Sequence, residues 1–138
     1  MEIKKVLIIF KTHLDVGFTD FAANVRKKYE EVFIPNAIKT AGELRKENGE
    51  AAFKWTTGSW LIYEYLKNAP EEKVKELSEA ILNGDICWHG LPCTTHTELM
   101  DRELFEYGLS LSRRLDERFG RKTIAAKMTD VPGHTKAM

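Results

Sequence analysis

Cysteine is scarce in this sequence. Two thiols, Cys87 and Cys93, among 138 residues are too few for a disulfide framework. With His89 and His96 they spell C-x-H-x3-C-x2-H, four residue types that can bind zinc. The spacing fits no common zinc module, and Cys87 and His89 fall on one face of an expected strand; a buried thiol and loop histidines are the plainer account. Net charge is absent as well. Lys plus Arg and Asp plus Glu both number 21, which leaves no net field to hold nucleic acid or an anionic membrane. No apolar run approaches the roughly eighteen residues of a membrane span. Lys4-Lys5 precedes a run of five apolar residues, too short for a signal-peptide core and followed by no small-residue cleavage site. These absences point to a cytoplasmic protein whose partners are neither nucleic acid nor membrane.

What is present is enough for a core. The composition is 43% hydrophobic and 30% charged, ordinary for a globular chain, and the length suits one domain or a piece of a larger one. A first strand is expected at residues 5–10, where Val6 to Phe10 form a continuous apolar run with β-branched members, as in a parallel strand covered on both faces. Residues 21–48 carry Val25, Tyr29, Val32, Phe33, Ala37, Ala41 and Leu44 at three- and four-residue spacing, which predicts a helix that Pro35 breaks or kinks. A second strand is expected at 51–56 and a short helix at 60–66. A further helix starts near Pro70, with Glu71 and Glu72 in its first turn, and stops at Asn83-Gly84. Then come a strand at 85–89, a helix at 98–118 closed by Gly120, and a fourth strand at 123–128. The order βαβαβαβ predicts an α/β fold with four parallel strands joined by helices. No internal repeat or low-complexity segment occurs.

The polar, chemistry-bearing clusters all fall just after these expected strands: His13 and Asp15, Thr56 and Thr57, His89 to His96, Asp130 and His134. In parallel α/β folds that edge is where ligands bind. Spaced two apart in extended chain, His13 and Asp15 project to one side, and both are zinc-ligand types; a parallel sheet would bring Asp130 to the same rim. Either aspartate alone also suits a simple turn.

Taken together, T-H-L-D-V-G-F at residues 12–18 and T-D-V-P-G-H-T at residues 129–135 resemble glycoside hydrolase family 38, the retaining α-mannosidases, whose pattern is S-H-x-D-x-G-W and D-P-F-G-H-S. W-T-T at 55–57 and N-G-D-I-C-W-H-G at 83–90 resemble two intervening stretches of that family. The resemblance implies that residues 1–138 are the N-terminal portion of a seven-stranded parallel β/α barrel, a fragment whose partner is the remainder of the same catalytic domain. It implies a zinc ion held by His13, Asp15 and Asp130, with Asp130 also the catalytic nucleophile, and an α-mannoside or related carbohydrate as substrate. Phe18, Trp55 and His134 are the residues expected against the sugar. The fourth zinc ligand and the acid/base residue would come from later strands, so the chain alone would be inactive. Phe18 in place of tryptophan, Thr57 and Cys87 in place of glutamates, and the shifted Pro132 mark a divergent branch. A zinc-dependent polysaccharide deacetylase is a second reading, although its paired aspartates and H-x3-H are not found. A non-catalytic sugar-binding fragment is a third.

Overall fold

Two short strands lie at the centre, β1 (Trp55–Gly58) and β2 (Ile86–His89), paired in parallel with Trp55 opposite Ile86 and Gly58 opposite His89. This computed structural model describes residues 2–6, 8, 12–48, 53–131, 133, 134 and 136. A parallel pair needs a long crossover, supplied here by α3 (Ser59–Asn68) and α4 (Glu71–Leu82). Tyr65, Leu61 and Ile62 of α3 and Leu77 and Ile81 of α4 pack with Ile86 into a core that excludes water almost completely. The left-handed Gly84 (φ 79°) ends α4, with Gly84 N–H donating to Ile81 O and Asp85 N–H to Ala80 O, both at 2.9 Å.

Upstream, α1 (Ala22–Lys28), a π-helical turn (Tyr29–Phe33) and α2 (Ile34–Asn48) run on without interruption. The break expected at Pro35 appears as that π turn. Pro35 lacks an N–H and its ring crowds the carbonyl four residues earlier, that of Glu31, and widening the preceding turn relieves the crowding; Ile34 N–H accordingly donates to Tyr29 O. The Arg45 guanidinium of α2 pairs with the buried Asp85 carboxylate at the head of β2.

The last helix, α5 (Arg102–Phe119), starts where the Asp101 carboxylate accepts from Leu104 N–H at 2.8 Å. A 3-10 turn at Thr97–Leu99 precedes it. Gly108, Leu111, Ser112 and Leu115 form its buried stripe. Near the end of α5, Asp116 ties β2 to the chain beyond the helix: its carboxylate accepts from Trp88 Nε1 at 3.1 Å and from Thr123 N–H and Oγ1 at 2.8 Å each. No helix among the described residues is long and apolar enough to cross a membrane.

The expected four parallel strands do not form. Among the described residues the fold is helix-rich with a single two-stranded sheet, so it shows no four-stranded portion of a β/α barrel. Residues 123–128 make one backbone bond to the neighbourhood of β2, Gly90 N–H to Ala125 O at 2.9 Å, and Ile124 stays 86% exposed. In the first expected strand Leu7, Ile9 and Phe10 lie outside the described residues, while Val6 and Ile8 belong to no strand and are 73% and 76% exposed. Thr12 N–H donates to Thr56 O at 3.1 Å, the sole backbone bond that β1 receives from that side among the described residues. An apolar run encodes a demand for cover on both faces but not the neighbour that provides it. Without repeated bonds along a ladder, the described residues of these segments do not extend the sheet. In the second expected strand residues 51 and 52 lie outside the described residues, and pairing starts at Trp55, level with the start of β2.

Gly58 ends β1 where only a hydrogen fits. A Cβ there would overlap the Pro92 carbonyl oxygen and sit 2.8 Å from its carbon. Gly58→Ala should therefore destabilise the fold by about 1–3 kcal/mol, the usual penalty of overpacking. Gly42, inside α2 with nothing within 4 Å of its absent Cβ, should gain about 0.5–1 kcal/mol as alanine. Urea denaturation of both variants checks the pair, and equal effects of the same sign would contradict the packing at Gly58.

Candidate metal centre

His13 and Asp15 flank Leu14, which is buried. In chain that alternates sides, burial of the middle residue turns its two neighbours together the other way. Three bonds fix the segment. Thr12 N–H donates to Thr56 O, Trp55 Nε1 donates to Thr12 Oγ1, and Tyr29 OH donates to His13 O at 3.3 Å. Burial, reinforced by the Asp15 carboxylate, raises the Tyr29 pKa above the ordinary phenol value, so this hydroxyl keeps its proton at neutral pH.

Asp130 arrives from the far end of the chain. Its backbone is left-handed (φ 63°), a conformation that aspartate adopts more readily than most residues. Its Oδ2 lies 3.6 Å from His13 Nε2, and Asp15 Oδ1 lies 2.8 Å from the same nitrogen. One ligand atom from each residue falls within 4.8 Å of the others. The three residues can hold a metal ion.

The donor geometry fits such an ion. Donors about 2.1 Å from a shared zinc at tetrahedral angles stand about 3.4 Å apart. The 3.6 Å pair is close to that spacing, and the 2.8 Å pair needs to open by about half an ångström. Although Nε2 is so near Asp15 Oδ1, the angle makes no hydrogen bond, and the buried nitrogen has no hydrogen-bond partner among the described residues. A buried ring nitrogen with two carboxylate oxygens beside it and no hydrogen bond to either is an arrangement a cation can complete. The other ring nitrogen, Nδ1, lies 3.2 Å from Thr94 Oγ1. With Nδ1 protonated and donating to that hydroxyl, Nε2 carries the lone pair a metal requires.

Thr94 begins a short run that touches His13 and the segment carrying Asp130. Thr95 N–H donates to Met128 Sδ at 3.4 Å, just before Asp130. Thr97 Oγ1 and His134 Nδ1 are 3.1 Å apart, just beyond it. The sequence offers a polar run after an expected strand but no ligand signature in these threonines, since a hydroxyl that orients a ligand is not itself a ligand type. Tyr29 was legible only as a member of a helical stripe.

The three residues expected against a sugar have different surroundings. Phe18 is 86% exposed, whereas Trp55 is buried in the core. His134 is held by Thr97. A cleft of about 440 Å³ opens beside His13 and Asp15, and none of the three lines it. The cysteines take different surroundings: Cys87 Sγ lies 3.1 Å from Thr56 Oγ1, and Cys93 Sγ lies 3.7 Å from Thr95 Oγ1. His96 pairs with Glu98 at 3.2 Å, and the Glu98 pKa is lowered by a backbone hydrogen bond first and His96 second. Searches against protein-family models, curated proteins and solved structures find no match to this chain.

Thr94→Val keeps the shape of the side chain and removes the hydroxyl. Its affinity for zinc should fall by about 10- to 100-fold, the usual effect of losing an outer partner of a ligand histidine, while Thr94→Ser should stay near wild type. Competition against a chromogenic chelator measures both. Equal affinities in the valine variant and the wild type would show that the Thr94 contact does not orient His13.

Proposed function

We propose that this chain carries the zinc site of a retaining glycoside hydrolase similar to α-mannosidases, acting on α-linked carbohydrate. The observation that supports it is the meeting of His13, Asp15 and Asp130 from opposite ends of the chain, the same three positions that the flanking motifs assign as ligands. The sheet does not add to this support, because the expected barrel strands are not there. The reading rests on the donor cluster and the two motifs. The free thiols Cys87 and Cys93 suit a reducing compartment, and a cytoplasmic setting goes with the proposal.

In this reading His13, Asp15 and one oxygen of Asp130 hold zinc, which when bound supplies a Lewis acid and a template for sugar hydroxyls. The chain's own residues do the rest. Asp130 turns Oδ2 toward His13, leaving Oδ1 as the oxygen that can attack the anomeric carbon. As the bond from Oδ1 to that carbon forms, the bond to the departing glycosidic oxygen breaks, and a carboxylic acid about 5 Å away delivers a proton to it. Water, deprotonated by the same carboxyl group, then releases the sugar from Asp130. The resemblance assigns that second carboxyl to no residue of this sequence, so the proposed hydrolysis needs a further segment that supplies it.

Asp130→Asn removes the attacking charge and keeps the shape. In the full-length polypeptide its turnover of an aryl α-mannoside should fall by several orders of magnitude, the scale of losing a nucleophile, and added zinc should not restore it. His13→Ala acts through metal affinity, so excess zinc should recover part of its activity. Full activity in Asp130→Asn would remove Asp130 from the nucleophile's role.

A further inference from the structure

The cleft beside the metal centre has a composition that the metal itself does not explain. His13 and Asp15 line it. The rest of its polar lining is the Thr19 hydroxyl, the Asp20 carboxylate and the Asn24 amide. Asp20 Oδ1 accepts from Phe21 N–H at 2.7 Å and from Asn24 Nδ2 at 3.0 Å, which fixes the two side chains together and leaves the Asn24 carbonyl oxygen free to accept. Its apolar lining comes from Val25 and the π turn.

That turn is the second observation. Pro35 accounts for the turn itself; what the turn contributes to the cleft is the placement of two rings. Here it sets Tyr29 and Phe33 edge to face, ring centres 4.9 Å apart, on the side that lines the cleft. Lys28 lines it too, its Nζ 5.4 Å from the Phe33 ring centre. The Tyr29 hydroxyl, through its bond to His13 O, joins this lining to the metal-binding segment. Pockets for small molecules have volumes of about 300–1,000 Å³, and about 440 Å³ admits one or two sugar rings. A sugar ring presents hydroxyls around its edge and C–H groups on its face, so it needs polar and apolar lining together.

We propose that this cleft is the sugar-binding subsite of the metal centre: Asn24 and Asp20 bond ring hydroxyls, and the Tyr29–Phe33 turn lies along the ring's apolar face. The proposal rests on the glycoside reading and places recognition on residues outside the two motifs. It gives no part to Phe18, Trp55 or His134.

The test uses the zinc-loaded chain titrated with methyl α-D-mannopyranoside, followed by NMR of the Asn24 side-chain amide and the Tyr29 and Phe33 rings. Zinc affinity is measured separately. Those signals should shift on titration. Asn24→Ala, at an exposed position whose loss threatens no core contact, should weaken the sugar by about 3- to 10-fold, the effect of one hydrogen bond, with zinc affinity unchanged. Phe33→Ala should weaken it similarly. Sugar affinity equal to wild type in both variants, shifts confined to other residues, or no binding by the wild-type chain would overturn the subsite. The glycoside reading fails by a different readout, the activity of Asp130→Asn, so a subsite that binds sugar beside a dispensable Asp130 would leave this inference standing and remove the other.

Discussion

Everything at the metal centre depends on how firmly the segment after β2 is held against the end of β1. Gly58 and Pro92 meet so closely that a methyl group cannot pass between them. Ser59 N–H donates to Leu91 O and Trp60 N–H to Pro92 O, each at 3.0 Å. From this anchor the chain enters Thr94–Thr97, whose contacts reach His13 on one side and Met128 and His134 on the other. Two remote parts of the sequence are thus brought to one point by a third. A two-stranded sheet would not do this unaided, because neither the His13 segment nor the Asp130 segment belongs to it.

The arrangement also has an electrostatic side. Two carboxylates drawn toward one imidazole nitrogen repel each other, and that nitrogen has no hydrogen-bond partner among the described residues. Side-chain exposures of 29% for His13 and 35% for Asp15, against 80% for Asp130, grade the site from a sheltered half to an open one. Solvent screens the open carboxylate most. A cation held between the halves reverses the sign of the carboxylate contact, which turns a mutual repulsion into shared attraction. The sheltered pair is preorganised by backbone bonds, while Asp130 hangs on a left-handed turn whose neighbours are fixed through Met128 and His134.

Much of the helical architecture was legible because its signals are local. The Asn83-Gly84 stop, the Glu71 and Glu72 first turn, and Gly120 at the end of α5 act within a few residues of where they stand. His13 and Asp15 were legible as a pair for the same reason, since alternation about an apolar Leu14 is a property of neighbours. The flanking strands were not, because a run such as residues 123–128 states what it would bury and not what will pair with it. Pro35 announced a disturbance, and only the packed helix shows it taken up as a π turn one step earlier. Thr94 was legible only as one member of the polar run from His89 to His96: its role exists only once β2 has carried the chain to within 3.2 Å of a histidine 81 residues away.

X-ray absorption at the zinc edge of the reconstituted chain bears most directly on the claim that His13, Asp15 and Asp130 form one metal centre. Such a centre predicts one zinc per chain with a first shell of nitrogen and oxygen alone at about 2.0–2.2 Å, lost when His13 is replaced by alanine. A sulfur shell near 2.3 Å, which would place the ion on Cys87 or Cys93, or a zinc content unchanged in His13→Ala, would contradict it.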